Sequence, residues 1–209
     1  MIRGILFASA LCAAAQAAVA DDSGKFDIQG STLVYDTEAA RLGPAREIQN
    51  RDVDVLRDLL RANPGIRTLK LNSTGGSVWA GIEMAHIVQD FELNTVTDGA
   101  CSSACVTVFL AGARRTMTRG SKIGFHQRSW NADAMADYYE SVREEEGWET
   151  PFDFGSWVYS DTQTETFEEL RYMIGRGVDP VFAIETKRMR GDLWFPSRAE
   201  LEEAGVLVE

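Results

Sequence analysis

Histidine is scarce in this sequence and cysteine nearly so: there are two histidines, His86 and His126, and three cysteines, Cys12, Cys101 and Cys105, among 209 residues. With so few nitrogen and sulfur ligands, none of them at metal-binding spacing, no zinc site is expected. Beyond the N-terminal segment no apolar run is long enough to span a bilayer, which excludes stable membrane insertion by a helix. No basic stripe is present either. The formal charge of −11 gives a surface that repels nucleic acid and anionic lipid, so neither is an expected partner. Internal repeats and low-complexity tracts are lacking as well.

The first 20 residues read as a targeting segment. Arg3 supplies the positive end, Ile5 to Ala18 is apolar and small, and Ala18-Val19-Ala20 fits an A-x-A cleavage site before Asp21-Asp22. The expectation is a cleaved secretory signal peptide over 1–20 and an exported, periplasmic or extracellular chain from 21 to 209. Roughly 190 residues then form a single domain able to bury a core. Cleavage removes Cys12 and leaves Cys101 and Cys105, in a compartment where disulfides persist. Four residues apart on a helix, their Cα atoms would lie about 6 Å apart, inside the disulfide range. Two small buried thiols are the alternative reading.

Strands and helices alternate along the chain. Phe26–Ile28 and Thr32–Tyr35 flank a Gly30-Ser31 turn. Asp52–Ala62 is an amphipathic helix with Val53, Leu56, Leu59 and Leu60 on one face, stopped by Asn63-Pro64-Gly65. Then come a strand at Ile66–Leu71, a helix at Val78–Asp90, a strand at Asn94–Thr97, an apolar helix at Ser102–Gly112 and a strand at Lys122–His126. That alternation predicts an α/β domain with a mostly parallel sheet. Residues 129–161, rich in aromatics and acids, read as a partly helical insertion that flanks a cleft or packs peripherally. Helices are expected at Thr164–Ile174, Pro180–Met189 and Ser197–Ala204, with a strand at Leu193–Phe195.

Three signals fall at carboxyl ends of expected strands, where parallel sheets bind ligands. Gly75-Gly76 follows the first, Ser103 the second, and His126 ends the third. Ser103 is placed in the first turn of its helix, where unpaired N–H groups and the dipole favour negative charge. The N–H of Ala104 is a candidate oxyanion donor. Gly76 is a second, because paired glycines let backbone approach a substrate closely. His126 is the candidate base. Taken singly, each has a plain structural use: a turn, a helix cap at Ser102 or Ser103, a packed imidazole. Their order and spacing lift them together. Cys101 or Cys105 as nucleophile is the weaker assignment, and His86 reads as a surface or packing residue.

In that order, Gly75-Gly76-Ser77-Val78, then Cys101-Ser102-Ser103-Ala104-Cys105, then His126-Gln127, the chain resembles the Clp protease proteolytic subunit and its crotonase-like relatives, including exported bacterial members with a C-[AS]-S-A-C segment. The resemblance runs from Phe26 to Val208 and is specific from Leu69 to Gln127. It implies a spiral of β-β-α units, a homo-oligomer, and Ser103 and His126 as catalytic pair, with Gly76 and Ala104 as oxyanion donors. It also implies that substrate peptide adds as a strand beside Gly75, Ser77 and Val78. The family's third acid falls nearest Glu185, with Asp179 and Asp192 less well placed, so a Ser-His dyad stays open. The segment after His126 departs from the family's ring-stacking segment, which argues against a closed two-ring chamber.

The reading is therefore an exported serine hydrolase acting on peptide or protein, with no cofactor and no ATPase partner, since the exported compartment lacks ATP. The alternatives are a ClpP-like peptide-binding or scaffold protein without turnover, and acyl-CoA chemistry on the same fold, which export disfavours.

Overall fold

The structure, a computed structural model, describes residues 24–40, 46–129 and 131–209. The expected signal peptide lies outside the described residues. No helix among them is long and apolar enough to cross a membrane.

The chain opens with an antiparallel hairpin, β1 (Phe26–Gln29) and β2 (Thr32–Asp36), and continues through α1 (Asn50–Ala62), β3 (Thr68–Ser73), α2 (Val78–Asp90) and β4 (Asn94–Ser102). It then runs through α3 (Ala104–Leu110), β5 (Arg115–Met117) and β6 (Lys122–Gly124). The pairs β2–β3, β3–β4, β4–β5 and β4–β6 are all parallel. The α/β class with a mostly parallel sheet is thus as expected. Along β2 and β3 every second side chain is buried, and Leu33, Tyr35, Leu69 and Leu71 form the sheet's share of the core. Helix α1 closes one part of that core with Val53, Leu56, Leu59 and Leu60, the face its periodicity predicts. Helix α3 buries six of its seven residues, in keeping with apolar side chains all round. The carbonyls at its C-terminal end are taken by arginines: Arg176 donates to Leu110 O (2.8 Å), Ala111 O and Gly112 O, and Arg115 also donates to Leu110 O (3.4 Å).

Strand β4 is longer than its sequence pattern indicated and changes neighbours midway. Its first half, Thr95–Thr97, pairs with β5, and its second half, Ala100–Ser102, pairs with β6. The change occurs at a bulge opposite β3, where Leu71 faces Thr97 but Ser73 faces Cys101. Asn72 fills the irregularity: its Oδ1 accepts from Ala100 N–H at 2.9 Å, and its Nδ2 donates to Asp36 Oδ1. Alternation cannot extend through such a bulge, which is why the strand seemed to stop at Thr97. Strand β5 is only three residues long, too short for alternation to mark it.

The N-terminal hairpin is tied to α1 by a buried ion pair. Lys25 Nζ donates to Asp52 Oδ2 at 2.7 Å and to Glu47 O at 2.8 Å, with both charged side chains at most 1 % exposed. Tyr35 Oη and Gln49 N–H donate to the same Oδ2, at 2.7 and 2.9 Å.

The insertion is a helical hairpin. Helix α4 (Ala132–Glu146) is capped by Asn131 and ends at Gly147, whose φ is +71°. Helix α5 (Pro151–Gly175) begins with a Thr150/Asp153 capping box and Pro151 in its first turn. It absorbs the helix expected from Thr164. Only Phe154 and Met173 of its 25 residues are buried, so no apolar stripe marks its full length. Tyr138, Tyr139, Trp148, Phe154 and Trp157 pack together between the two helices. The chain closes with α6 (Pro180–Glu185) and α7 (Arg198–Glu203). The strand expected at Leu193–Phe195 is instead a single bridge, Trp194 with Phe125.

Candidate active site

The split pairing of β4 builds the site. Ser102 lies opposite Gly124, so Ser103, one residue on, and His126, two residues on, emerge at the same sheet edge. The Gly75-Gly76 segment follows β3 at that edge. Ser103 lies outside the helix rather than in its first turn. It is the N-cap of α3, immediately after the strand, with φ +55° and ψ −128°. That backbone conformation is costly for any side chain beyond glycine, on the order of 1–3 kcal/mol, and persists only where surrounding structure imposes it. Its side chain makes no capping hydrogen bond and is half-buried. A sharp strand-to-helix turn that raises a serine hydroxyl out of the sheet is the geometry of an exposed nucleophile.

The surroundings that impose this turn are identifiable. Cys101 and Cys105 are joined by a disulfide, Cα–Cα 5.3 Å, which brackets Ser103 symmetrically. Both half-cystines are fully buried. Of the two readings left open by the sequence, the bonded one is observed. From the other side, Gly75 presses on the turn. A methyl group at Gly75 would lie 2.7 Å from Ser103 Cβ, 2.8 Å from Ser102 O and 3.2 Å from Ala104 N. Gly76 is needed for a separate reason, since a methyl there would lie 2.5 Å from both Ile48 N and Ile48 O. Ile48 N–H donates to Gly75 O (2.7 Å), and Ser77 N–H donates to Ile48 O (2.9 Å). In this parallel bridge the Gly76 N–H points away from Ile48. The Ala104 N–H, first in its helix, has no intrahelical acceptor.

That bridge also bears on Ser77 and Val78. The backbone edge beside the glycine pair is already occupied by Ile48. Ser77 caps α2, its Oγ accepting from Ala80 N–H and donating to Asn50 Oδ1, and Val78 is the first residue of that helix. Ile48 occupies one backbone edge of the segment, and the Gly76 N–H lies on the opposite edge.

Ser103 and His126 line one narrow cleft of about 30 Å³, together with Val106, Thr107, Glu169, Tyr172 and Lys187. No hydrogen bond joins the serine and the histidine among the described residues. His126 is exposed, and its Nδ1 lies 2.9 Å from Gln127 O. A carbonyl oxygen only accepts, so Nδ1 is the donor in this bond, which leaves Nε2 as the acceptor atom of the neutral tautomer.

Glu185 is not brought to this cleft. It is ion-paired to Arg190 (2.6 Å) and Arg188 (2.9 Å) and lines a different depression with Asp179, Phe182 and Trp194. Helix α6 is short, and it turns Thr186 and Lys187 toward the cleft and Glu185 away from it. Asp179 caps α6 through Phe182 N–H. The carboxylate that does reach the cleft is Glu169, which the sequence reading missed. It is paired with Lys187 and with Arg128 (3.4 Å). Its i+3 and i+4 partners on α5, Tyr172 and Met173, line the same cleft, and that spacing was the available signal. Burial pushes the Lys187 ammonium below its ordinary value, and the Glu169 carboxylate opposes this. Burial likewise pushes the Tyr172 phenol up to about 12, and it donates to Thr107 O at 2.8 Å. Among the described residues no cluster could hold a metal ion.

Disulfide and glycine together clamp the Ser103 turn, and each can be removed separately. Reducing the disulfide, or replacing both cysteines by serine, is expected to destabilise the protein by about 2 kcal/mol, the chain-entropy value for so short a loop. Thermal melts with and without a phosphine reductant measure it, and coincident melts would refute it. Gly75→Ala is expected to slow reaction at Ser103 by about 100-fold, because displacing a reacting group by about 1 Å costs that much. An active-site probe measured against folded protein reads this directly.

No family model matches the sequence, and no curated protein matches it. Among solved structures the chain is similar to that of a ClpP1 mutant from Listeria monocytogenes, at 18 % identity and a TM-score of 0.49, over 77 % of this chain and 84 % of that one. The functional reading therefore rests on this chain's own residues.

Proposed function

We propose that this protein is a serine hydrolase, a peptidase by preference, with Ser103 as nucleophile and His126 as base. One observation carries the reading: Ser103 is held at positive φ on a strand-to-helix turn, its hydroxyl makes no capping hydrogen bond, and it opens onto the cleft that His126 lines. In this scheme Ser103 Oγ attacks the scissile carbonyl carbon while His126 Nε2 takes the hydroxyl proton. The N–H groups of Ala104 and Gly76 receive the oxyanion. Collapse of the tetrahedral intermediate breaks the C–N bond, and the proton on Nε2 passes to the departing amine. Water then attacks the acyl-serine ester with His126 again as base, releasing the acid and restoring Ser103. Gln127 O takes the place of the orienting acid, so the pair acts as a dyad. No cofactor enters this scheme.

The proposal includes export after cleavage near Ala20, for which the disulfide is supporting chemistry, and assembly as a homo-oligomer. A second reading, a peptide-binding scaffold without turnover, is favoured by one observation: no carboxylate bonds His126 among the described residues. The deciding test is a fluorophosphonate probe followed by mass-spectrometric mapping. An adduct on Ser103 supports the hydrolase, and folded protein that takes no label supports the scaffold.

A further inference from the structure

The cleft that Ser103 lines, about 30 Å³, has room for little more than water and not for a peptide carbonyl with its flanking residues. A cavity of about 370 Å³ lies directly beside it, between α2 and α5. Thr107, Glu169 and Tyr172 line both spaces and so form the partition between them. Two of the three are fixed to each other, since Tyr172 Oη donates to Thr107 O at 2.8 Å, a bond from α5 onto the backbone of α3. Glu169 is held through its carboxylate. Its Oε1 is paired with Lys187 and its Oε2 with Arg128 (3.4 Å), and Arg128 is held in turn by Glu165 (3.2 Å). This clasp ties together the segment after His126, α5 and the end of α6. The side chains of Lys187, Glu169 and Arg128 are 16, 26 and 33 % exposed, and ion pairs within reach of water are weak enough to open and close. Burial disfavours the Lys187 ammonium, and the Glu169 carboxylate is what opposes this.

Resting on the hydrolase reading, we infer that this clasp is an autoinhibitory gate on Ser103, with Glu169 as its moving part. Closed, it leaves the nucleophile facing a space too small for substrate. When Glu169 lets go of Lys187 and Arg128, rotation of its side chain merges the two spaces and admits an acyl group to Ser103. The backbone stays in place, because Tyr172 and Thr107 remain bonded. Ser103 then reacts only in the open fraction of molecules, and whatever weakens the clasp raises the observed rate in proportion.

The test is the rate at which two uncharged probes label Ser103, methanesulfonyl fluoride and a bulky aryl fluorophosphonate, in wild type and Glu169→Gln, with folding checked by thermal melts. Glutamine keeps the shape of the side chain and removes the charge that holds the clasp. Glu169→Gln is expected to label about tenfold faster with the bulky probe and by no more than about twofold faster with the small one. High salt should accelerate bulky labelling of wild type and leave that of Glu169→Gln unchanged. The contrast between probes decides, because a mere change of charge beside Ser103 would move both rates alike. Lys187→Gln releases the same carboxylate from its other partner and gives the same reading if Glu169→Gln does not fold. Equal rates in wild type and variant, slower labelling of the variant, or equal acceleration of both probes overturns the gate while Ser103 still labels. Folded wild type and variants that take neither probe end the hydrolase reading, and the gate with it.

Discussion

Ser103→Ala is expected to abolish fluorophosphonate labelling and all acyl transfer, and His126→Ala to slow labelling by about 10²–10⁴-fold. The two losses have different origins. Without Ser103 Oγ there is no nucleophile for phosphorus or carbonyl carbon, while without His126 the hydroxyl remains and only its proton acceptor is gone. His126 is exposed, and its one hydrogen bond is to the neighbouring Gln127 O, so its removal should leave the melting temperature near that of wild type. Ser103 offers a sharper control. At φ +55° the residue stores backbone strain, and glycine adopts that conformation without it. Ser103→Gly should therefore be inactive and at least as stable as wild type. A serine kept for stability would behave in the opposite way. Undiminished labelling of Ser103→Ala, mapped to another residue, would remove the nucleophile assignment altogether.

Lys25→Met is expected to destabilise the fold by about 3–5 kcal/mol, the usual cost of removing one partner of a buried ion pair. Asp52 is 1 % exposed, its Oδ2 accepts from Lys25, Tyr35 and Gln49, and its Oδ1 is buried with no hydrogen-bond partner among the described residues. Taking away the ammonium strands a carboxylate that water does not reach. For a domain of this size the melting temperature should fall on the order of 10 °C. Adding Asp52→Leu to Lys25→Met should recover a large part of the loss, because the penalty comes from the abandoned charge and not from the missing attraction. Additive destabilisation in the double variant would count against this account.

Much of the fold was legible where one period ran unbroken. Helix α2 has the boundaries its sequence predicts, and α1 buries the predicted face. Legibility failed where tertiary structure overrides local pattern. The second half of β4 contains Asp98 and Gly99, poor strand residues, and is held by Asn72 across the bulge. The long α5 carries too few buried residues to announce itself. At the site, the residues that chain order could place, Gly75, Gly76, Ser103, Ala104 and His126, do gather at one edge. The carboxylate could not be placed in this way. Glu185 and Lys187 are two residues apart, and which of them faces the cleft depends on how α6 ends, a matter of packing rather than of sequence. The strain at Ser103 was equally invisible, because nothing in a serine's identity records the sign of its φ.

Strand β4 serves two neighbours in succession, and the second of them is held by only three residue pairs. A slip of one position between β4 and β6 would carry His126 about 3.3 Å along the sheet edge and reverse its facing. The same slip would turn Ile123, fully buried in the core, to the opposite face, so the hydrophobic interior itself fixes the register. A misregistered fraction in a refolded preparation would therefore appear as a lower-melting population, with the packing of Ile123 and the placement of His126 lost together.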